Sequence, residues 1–330
     1  MNDTIATLGR VLFYDKNLSV NNMISCASCH QQAFAFGDTA TVSQGVSQAL
    51  TERHSMRLVN IRFGEIKTFF WDERAKSLKD QTTQPIKDHI EMGFSGTNGN
   101  PTFEDLIHKL TNIEYYSPLF STAFGDNQIT ENRIQLALAQ FIRSIQSFDS
   151  KYDIGRAQVD NDHVPFPNFT QQENLGKKLF MLPKNENGAN CQNCHRAPIF
   201  DIDPNVSNNG IISVAGDPTA FDLTNTKSPS LRDLVHPSGK LNGPLMHDGS
   251  LTSLAAVIDH YNQIPLDPRN STRLDGKLRN DDFTKGQNLQ LTAIEKDALV
   301  AFLRTLTGTA IYTDERWSNP FDINDELILK

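Results

Sequence analysis

Apolar residues recur with the period of an α-helix in two long stretches of the chain. The first runs from Ile134 to Ile145 and the second from Ile294 to Leu306, and each places its apolar side chains on one face. Alternating strand patterns are scarce, while Gly, Pro and Asn are frequent between the helical stretches. The pattern therefore predicts an all-α fold with long loops, in which both faces bury against a core.

A short sequence repeat indicates that the helical plan occurs twice. The segment LGRVLF at 8–13 opens the first half, and LGKKLF at 175–180 opens the second. Each of the two long helices then closes one half. We therefore expect two domains, residues 1–150 and residues 166–310.

The predicted join lies near residues 149–171, where the helical periodicity stops and Pro165 and Pro167 interrupt a polar segment. Residues 311–330 form a tail that includes Trp317 and is too apolar to be simply disordered. We expect this tail to pack back on the first domain.

A five-residue motif, two cysteines three apart followed at once by histidine, occurs once in each half. It consists of Cys26, Cys29 and His30 in the first half and of Cys191, Cys194 and His195 in the second. This is the attachment motif of a c-type haem, in which the cysteines form thioethers and the histidine is the proximal iron ligand. The two motifs use all four cysteines of the chain, so the sequence predicts two covalently bound haems.

Two other uses of four cysteines remain open at this stage. One structural zinc could be held by two cysteine pairs, although such pairs usually lie about 15–20 residues apart and need no histidine after them. A disulfide scaffold is less favoured, because a chain of 330 residues can bury its own core.

The charge and hydropathy of the chain limit its partners and location. With 31 Lys and Arg against 39 Asp and Glu, the net charge of −8 argues against nucleic acid and favours a basic protein or a small neutral substrate. The sequence contains no run of eighteen apolar residues, so it predicts no transmembrane helix. Since haem is attached to such motifs outside the bacterial inner membrane, we expect a periplasmic protein whose secretion signal has been removed.

Beyond the haem motifs, two further segments carry a family resemblance. FWDERA at 70–75 lies between the haem motifs, and MHDGS at 246–250 follows the second. With them, nearly the whole chain resembles the bacterial di-haem cytochrome c peroxidases, a superfamily that includes MauG. The resemblance implies two cytochrome c-type domains. It also implies a peroxide-reacting haem on His30, an electron-transfer haem on His195 and an electron-relaying Trp71 between them.

The resemblance also assigns residues around the first haem and in the second motif segment. Glu91 matches the family's distal acid, which would take a proton from peroxide and return it to the departing oxygen. Gln81 and Pro85 match further residues of the same pocket, and His247 of the HDG stretch is expected among the cofactor-binding residues. A lone Glu in a loop is usually only solvated, so the role of Glu91 depends on the resemblance.

The first departure from the family concerns the distal side of the first haem and the calcium site. The histidine that closes this haem in many members would fall near Val46, and the chain has none there. His54 stands instead where the family commonly has a calcium-binding Asn. We therefore expect an open first haem. Calcium is doubtful because a hard cation prefers oxygen ligands, although carbonyls near Asn242 and Pro244 match the other ligands.

The second departure is Tyr261, at the position where the cytochrome-oxidising members have methionine as the far ligand of the second haem. On a helix predicted over 252–262, Tyr261 lies on the apolar face and His260 about 100° away. The resemblance to MauG makes Tyr261 the expected iron ligand. A core tyrosine, beside a haem ligated by Met246 or His260, is the alternative.

These expectations favour a periplasmic di-haem peroxidase that reduces hydrogen peroxide with electrons from a small cytochrome c or copper protein. A MauG-like oxidation of a protein substrate is the rival enzyme function. A pure electron-transfer cytochrome is the alternative outside enzymes. The sequence leaves a homodimer open.

Overall fold

Two packed pairs of helices organise the fold, one pair in each half of the chain. In the computed structural model, which describes residues 2–64, 68–202, 206–225, 227–280 and 283–329, the opening and closing helices of each half pack against each other. The helices of the first half are α1 (Asp3–Tyr14), α2 (Cys26–Cys29), α3 (Leu78–Thr82), α4 (Gln84–Lys87), α5 (Phe103–Thr111), α6 (Tyr116–Phe124) and α7 (Glu131–Ser144).

The second half has fewer helices and two short hairpins. Its helices are α8 (Lys151–Arg156), α9 (Gln171–Met181), α10 (Leu254–Asn262) and α11 (Ala293–Arg304). Strands β1 (His195–Arg196) and β2 (Asp201–Ile202) pair antiparallel, as do β3 (Ser213–Val214) and β4 (Asp217–Phe221). Helices are therefore the main regular structure of the described chain, with four short strands that the scarcity of alternating patterns did not indicate. The all-α class itself stays a prediction.

The ends of the long helices follow from their capping residues. Closing helix α7 begins after Thr130, whose side chain accepts a hydrogen bond from the backbone of Arg133. Helix α11 begins after Thr292, which forms a capping box with Glu295. Both helices therefore begin before their first predicted apolar residue and end one or two residues before the predicted limit.

The repeated glycine of the opening segments lies where the two helices of each half cross. A side chain at Gly9 of α1 would overlap the carbonyl oxygen of Ala137 in α7, and one at Gly176 of α9 would overlap that of Ala298 in α11. Only glycine therefore permits this close approach of the backbones. The sequence repeat thus encodes the same helix crossing twice.

Aromatic rings fill the space beside each crossing. In the first half the rings of Phe13 and Phe141 lie 5.0 Å apart, with Phe36 at 6.0 Å from Phe13. In the second half Phe180 and Phe302 lie 5.1 Å apart. Tilted and edge-on pairs at these distances stabilise a core beyond simple burial. Each half therefore has its own apolar cluster next to its cysteine motif.

The predicted join is partly helical. Helix α8 lies within it and starts at a capping box between Ser150 and Asp153. Six residues are too few to produce a readable period, which is why the sequence showed only a loop. The fully buried Arg232 then holds the join in place through its ion pair with Asp153, with nitrogen–oxygen distances of 2.7 and 2.9 Å.

The tail contacts the first half. Ile311, Trp317 and Phe321 belong to the apolar cluster of that half, and the hydroxyl of Tyr14 donates to the carbonyl of Trp317 at 2.6 Å. Each half therefore has a separate apolar cluster, and the tail packs on that of the first half. The domain limits themselves stay a prediction. None of the helices in the described ranges is both long and apolar enough to cross a membrane.

The helix crossings give a prediction for stability. We expect Gly9→Ala or Gly176→Ala to destabilise the protein by about 1–3 kcal/mol, because the added methyl group forces the two backbones apart. On a free helix surface the same change would instead be favourable by up to about 1 kcal/mol. Thermal unfolding of the variants measures the effect. Thr7→Ala, on the exposed side of α1, is the control, and an unchanged or raised melting temperature for Gly9→Ala would contradict the prediction.

Candidate active site

The first cysteine motif lines a cavity of about 560 Å³, called here the larger cavity. Cys26, Cys29 and His30 all contribute to its wall, since the single turn of α2 brings them to one side. Nδ1 of His30 lies 3.2 Å from the carbonyl oxygen of Phe36. A carbonyl can only accept, so Nδ1 carries the proton and Nε2 keeps its lone pair for a metal. Burial lowers the pKa of His30, which favours this neutral form.

The second motif repeats the arrangement around a cavity of about 150 Å³, the smaller cavity. Cys191, Cys194 and His195 line it, and Nδ1 of His195 lies 3.3 Å from the carbonyl oxygen of Phe200. Burial lowers the pKa of His195 to about 4. At neutral pH this imidazole is therefore uncharged, with Nε2 available as a ligand.

These two sites fit a haem better than the other uses of cysteine. The cysteine pairs line different cavities, so they do not meet around one zinc ion. No disulfide joins them, and the described residues contain no group of three or more His, Cys, Asp or Glu side chains that could hold a metal. Each cavity instead combines two thiols with one correctly oriented imidazole, the set that a c-type haem needs.

The larger cavity brings the predicted pocket residues together with His30. Glu91, Gln81 and Pro85 all line it. The backbone N–H of Glu91 donates to the carboxylate of Asp88 at 3.0 Å, which fixes the loop that carries the acid. Burial, with the nearby charge of Asp88, raises the pKa of Glu91 to about 7. This carboxyl group can therefore both take up and release a proton near neutral pH.

The loop that could have carried a closing histidine packs against this acid loop. The N–H of Val46 donates to the carbonyl of Ile90 at 3.0 Å, and a side chain at Gly45 would overlap that same carbonyl. Val46 is not among the residues that line the larger cavity. His54 does line it, but its Nδ1 lies 3.0 Å from the carbonyl of Ala40.

Trp71 lies between the two cavities and lines both. Its segment is a tight turn, closed by backbone hydrogen bonds in both directions between Phe69 and Ala75. The indole N–H of Trp71 donates to the carbonyl of His54 at 2.7 Å, which fixes the ring plane. Trp71 is therefore positioned to connect the two cavities.

His247 is placed behind Trp71 rather than in a cavity wall. The two rings make an edge-on contact at 6.2 Å between centroids. The carbonyl of His247 accepts from the N–H of His54 at 2.6 Å, and its Nδ1 lies 2.9 Å from Nδ2 of Asn225. It is not among the residues lining either cavity. Its expected contact with cofactor stays a prediction, and its observed contact is with Trp71.

Two candidate far ligands line the smaller cavity with His195. Tyr261 lies on α10, and Met246 is the first residue of the MHDGS segment at 246–250. The side-chain amide of Asn209 reaches both, at 3.2 Å from the Tyr261 hydroxyl and 3.5 Å from the Met246 sulfur. Nε2 of His260 lies 2.9 Å from the backbone carbonyl of Asn209, and His260 is not among the lining residues. The geometry therefore favours Tyr261 or Met246 over His260.

The residues proposed for calcium do not fit that ion. Pro244 lines the smaller cavity, while the Nδ2 group of buried Asn242 donates to the carbonyl of Asp233 and to Tyr312, both at 2.8 Å. His54 offers an imidazole nitrogen, and burial, together with the nearby guanidinium of Arg57, lowers the pKa of His54. A fixed cation and a nitrogen donor both disfavour a hard dication.

Several residues of the site gave no signal in the sequence. Asp88, Asn209, Arg57 and Lys227 are single polar residues in loops, and only the fold brings them to the cavities. Asp88 orders the acid loop and Asn209 holds the two candidate ligands. Arg57 and Lys227 each line both cavities.

Comparison with known proteins identifies relatives over most of the chain. A family model described as di-haem cytochrome c peroxidase matches residues 3–160. The methylamine utilization protein MauG of Methylophilus methylotrophus is 31% identical over 93% of this chain and 83% of its own length. The cytochrome c551 peroxidase of Nitrosomonas europaea is 28% identical over 93% of this chain and 81% of its own.

A solved structure extends the comparison to the fold. The crystal structure of a MauG-like protein associated with microbial copper homeostasis superposes with a TM-score of 0.73 at 29% identity, covering 97% of this chain and 94% of that one. The fold is thus that of the di-haem peroxidase class of oxidoreductases. The chain belongs to the di-haem cytochrome c peroxidase family. Its relatives in that family include both MauG proteins and peroxidases.

The two candidates in the smaller cavity give a prediction that separates them. If Tyr261 is the far ligand, Tyr261→Phe changes the coordination and spin state of the second haem, whereas Met246→Leu leaves its spectrum intact. A tyrosine-ligated haem also has a low midpoint potential, since an anionic oxygen favours ferric iron. Redox titration with optical and EPR spectra measures both properties. A high potential, with only Met246→Leu altering the spectrum, would make Tyr261 a core residue.

Proposed function

We propose that the protein is a peroxidase that reduces hydrogen peroxide in the larger cavity with electrons received through the smaller one. The balanced reaction takes one peroxide, two electrons and two protons to two waters. The observation that carries the proposal is the half-buried Glu91, with a pKa of about 7, in the same cavity as His30. A haem bound at His30 would supply the iron at which the O–O bond is broken.

Glu91 supplies the proton transfer that this reaction needs. Its carboxylate form takes the proton from one peroxide oxygen, and its acid form returns a proton to the departing oxygen. Asp88 orients the loop through the backbone N–H groups of Ile90 and Glu91. Gln81 and Pro85 complete the wall of this pocket. The chain thus provides one positioned acid–base group beside the reacting site.

Trp71 provides the connection between the two cavities. Its indole touches both, and its hydrogen bond to His54 keeps the ring in one orientation. We infer that electrons pass from the site of His195 through Trp71 to the site of His30. A pure electron-transfer cytochrome, the alternative outside enzymes, has no use for an acid with a pKa near 7 in its cavity.

We also infer the chemical state and the setting of the protein. Cys26, Cys29, Cys191 and Cys194 form thioethers to two haems, an attachment that takes place outside the inner membrane and implies a periplasmic location. The net charge of −8 suits a small basic donor, such as a cytochrome c or a copper protein. Nothing in the proposal requires a nucleic acid.

A MauG-like function is the second candidate, and Tyr261 is the observation that favours it. A hard anionic ligand in the smaller cavity would stabilise high oxidation states at the second haem and allow a protein substrate to be oxidised there. The named MauG relative is consistent with this alternative. The potential of the second haem decides between the two functions.

Substitution of the acid tests the proposal directly. We expect Glu91→Gln to slow the peroxide step by about 10²–10⁴-fold, because the amide keeps the size of the side chain but cannot exchange the proton. Stopped-flow mixing with peroxide, followed by the change in the haem optical spectrum, measures the rate. Glu52→Gln is the matched control, since Glu52 is an exposed carboxylate at the same cavity. A wild-type rate in Glu91→Gln would refute the assignment.

The raised pKa of Glu91 adds a pH dependence. The proton-accepting carboxylate is the minor form below pH of about 7 and the major form above it. The rate of the peroxide step in the wild type should therefore rise as the pH increases through that value. In Glu91→Gln the same rise should disappear, and a rise that persists unchanged would assign the titration to another group.

The position of Val46 predicts the resting reactivity. Because no histidine closes the larger cavity from that loop, the fully oxidised protein should react with peroxide without prior reduction. A high-spin ferric signal in the resting EPR spectrum should accompany this behaviour. A protein that reacts only after one haem is reduced would show that the distal side is closed, and His54 would then be the side chain to replace.

A further inference from the structure

Arg57 lies between the two cavities. It lines both, together with Trp71, His54 and Lys227. Its aliphatic part lies against the backbone of Gly37, where a side-chain carbon would come within 2.9 Å of Cγ of Arg57. Gly37 directly follows Phe36, whose carbonyl orients His30. The aliphatic part of Arg57 thus packs beside the segment that orients His30, and the residue lines both cavities.

The charge of Arg57 is not matched in the way that neighbouring charges are. Arg53 forms ion pairs with Asp222 at 2.7 Å and Asp72 at 3.1 Å, and Lys227 donates to the carbonyl of Thr68 at 3.0 Å. By contrast, Nε of Arg57 is buried without a hydrogen-bond partner in the described part of the chain. A guanidinium stays protonated in proteins. A permanent positive charge therefore lies here without a direct partner among those residues.

The groups around Arg57 are acceptors. Asp233 and Tyr312 interact with it electrostatically, and Tyr312 is hydrogen-bonded to Asn242. Three acceptor atoms here are buried and lack a hydrogen-bond partner within the described ranges: Nε2 of His54, Oδ1 of Asn242 and Oδ2 of Asp233. Nδ1 of His54 faces two backbone carbonyls, so it carries the proton and Nε2 is an acceptor. We call these five residues, His54, Arg57, Asp233, Asn242 and Tyr312, the junction.

We propose that the guanidinium of Arg57 is the built-in cation of the junction, where it takes the place of a calcium ion and acts on both haems at once. Its five N–H donors suit carboxylates, which Asp233 offers from the protein and which a haem would bring to each cavity. The cation raises the potential of both haems, since a nearby positive charge disfavours ferric iron. Arg57 is thus a positioning residue. The inference rests on the proposed presence of two haems.

The test compares Arg57→Gln and Arg57→Lys in the haem-loaded protein. Loss of the charge should lower both midpoint potentials in spectroelectrochemical titration, whereas lysine should keep both near the wild-type values. Arg10→Gln is the matched control, because Arg10 has a buried Nε but lines neither cavity. In the wild type, metal analysis should find no stoichiometric calcium, and a calcium chelator should leave both potentials unchanged.

Other outcomes would overturn the inference. These are unchanged potentials in Arg57→Gln, a shift in only one haem, or Arg57→Lys shifting as far as Arg57→Gln. Stoichiometric calcium in the wild type, or midpoint potentials that change when calcium is chelated, would also overturn the inference. This part of the test uses only the wild-type protein and so does not depend on the folding of a variant. Haem content separates the two proposals: two haems and peroxide turnover without a shift refute only the role of Arg57, whereas fewer than two haems refute the proposed function.

Discussion

The close crossing of opening and closing helices is the constraint on which both halves of the protein depend. Gly9 and Gly176 let the backbones touch, and the Phe clusters beside each crossing fill the remaining space. Two of those phenylalanines, Phe36 and Phe200, also supply the carbonyls that orient His30 and His195. The packing of each core thereby sets the direction of the histidine that we propose as its iron ligand, so that structure and site are not independent.

Much of this could be predicted from the sequence because it repeats. Three features occur in the same order in both halves: the LG-x-x-LF segment, the cysteine motif and the closing helix. The interpretation of each half therefore supports the interpretation of the other. The helix ends differed by a few residues because capping by Thr130 and Thr292 decides where each begins. The sequence did not indicate the short hairpins, since strands of two to five residues are too short to show a clear alternating pattern.

The region between the cavities could be predicted only in part. Trp71 was found through its motif, whereas Arg57 and Asn209 are isolated residues whose neighbours are distant in sequence. The edge-on contact of His247 with Trp71 had no signal in the sequence, and the expected contact of His247 with cofactor stays a prediction. The positions of these residues depend on contacts between the two halves, and a local sequence pattern contains no information about such long-range contacts.

The returning tail has a consequence for the order of folding. Trp317 and Phe321 complete the apolar cluster of the first half, and the side-chain amide of Gln32, next to the first haem motif, donates to the carbonyl of Asp314 at 2.9 Å. The core of the first half therefore cannot be completed until the second half and the tail have been synthesised, because part of that core follows the second half in the sequence.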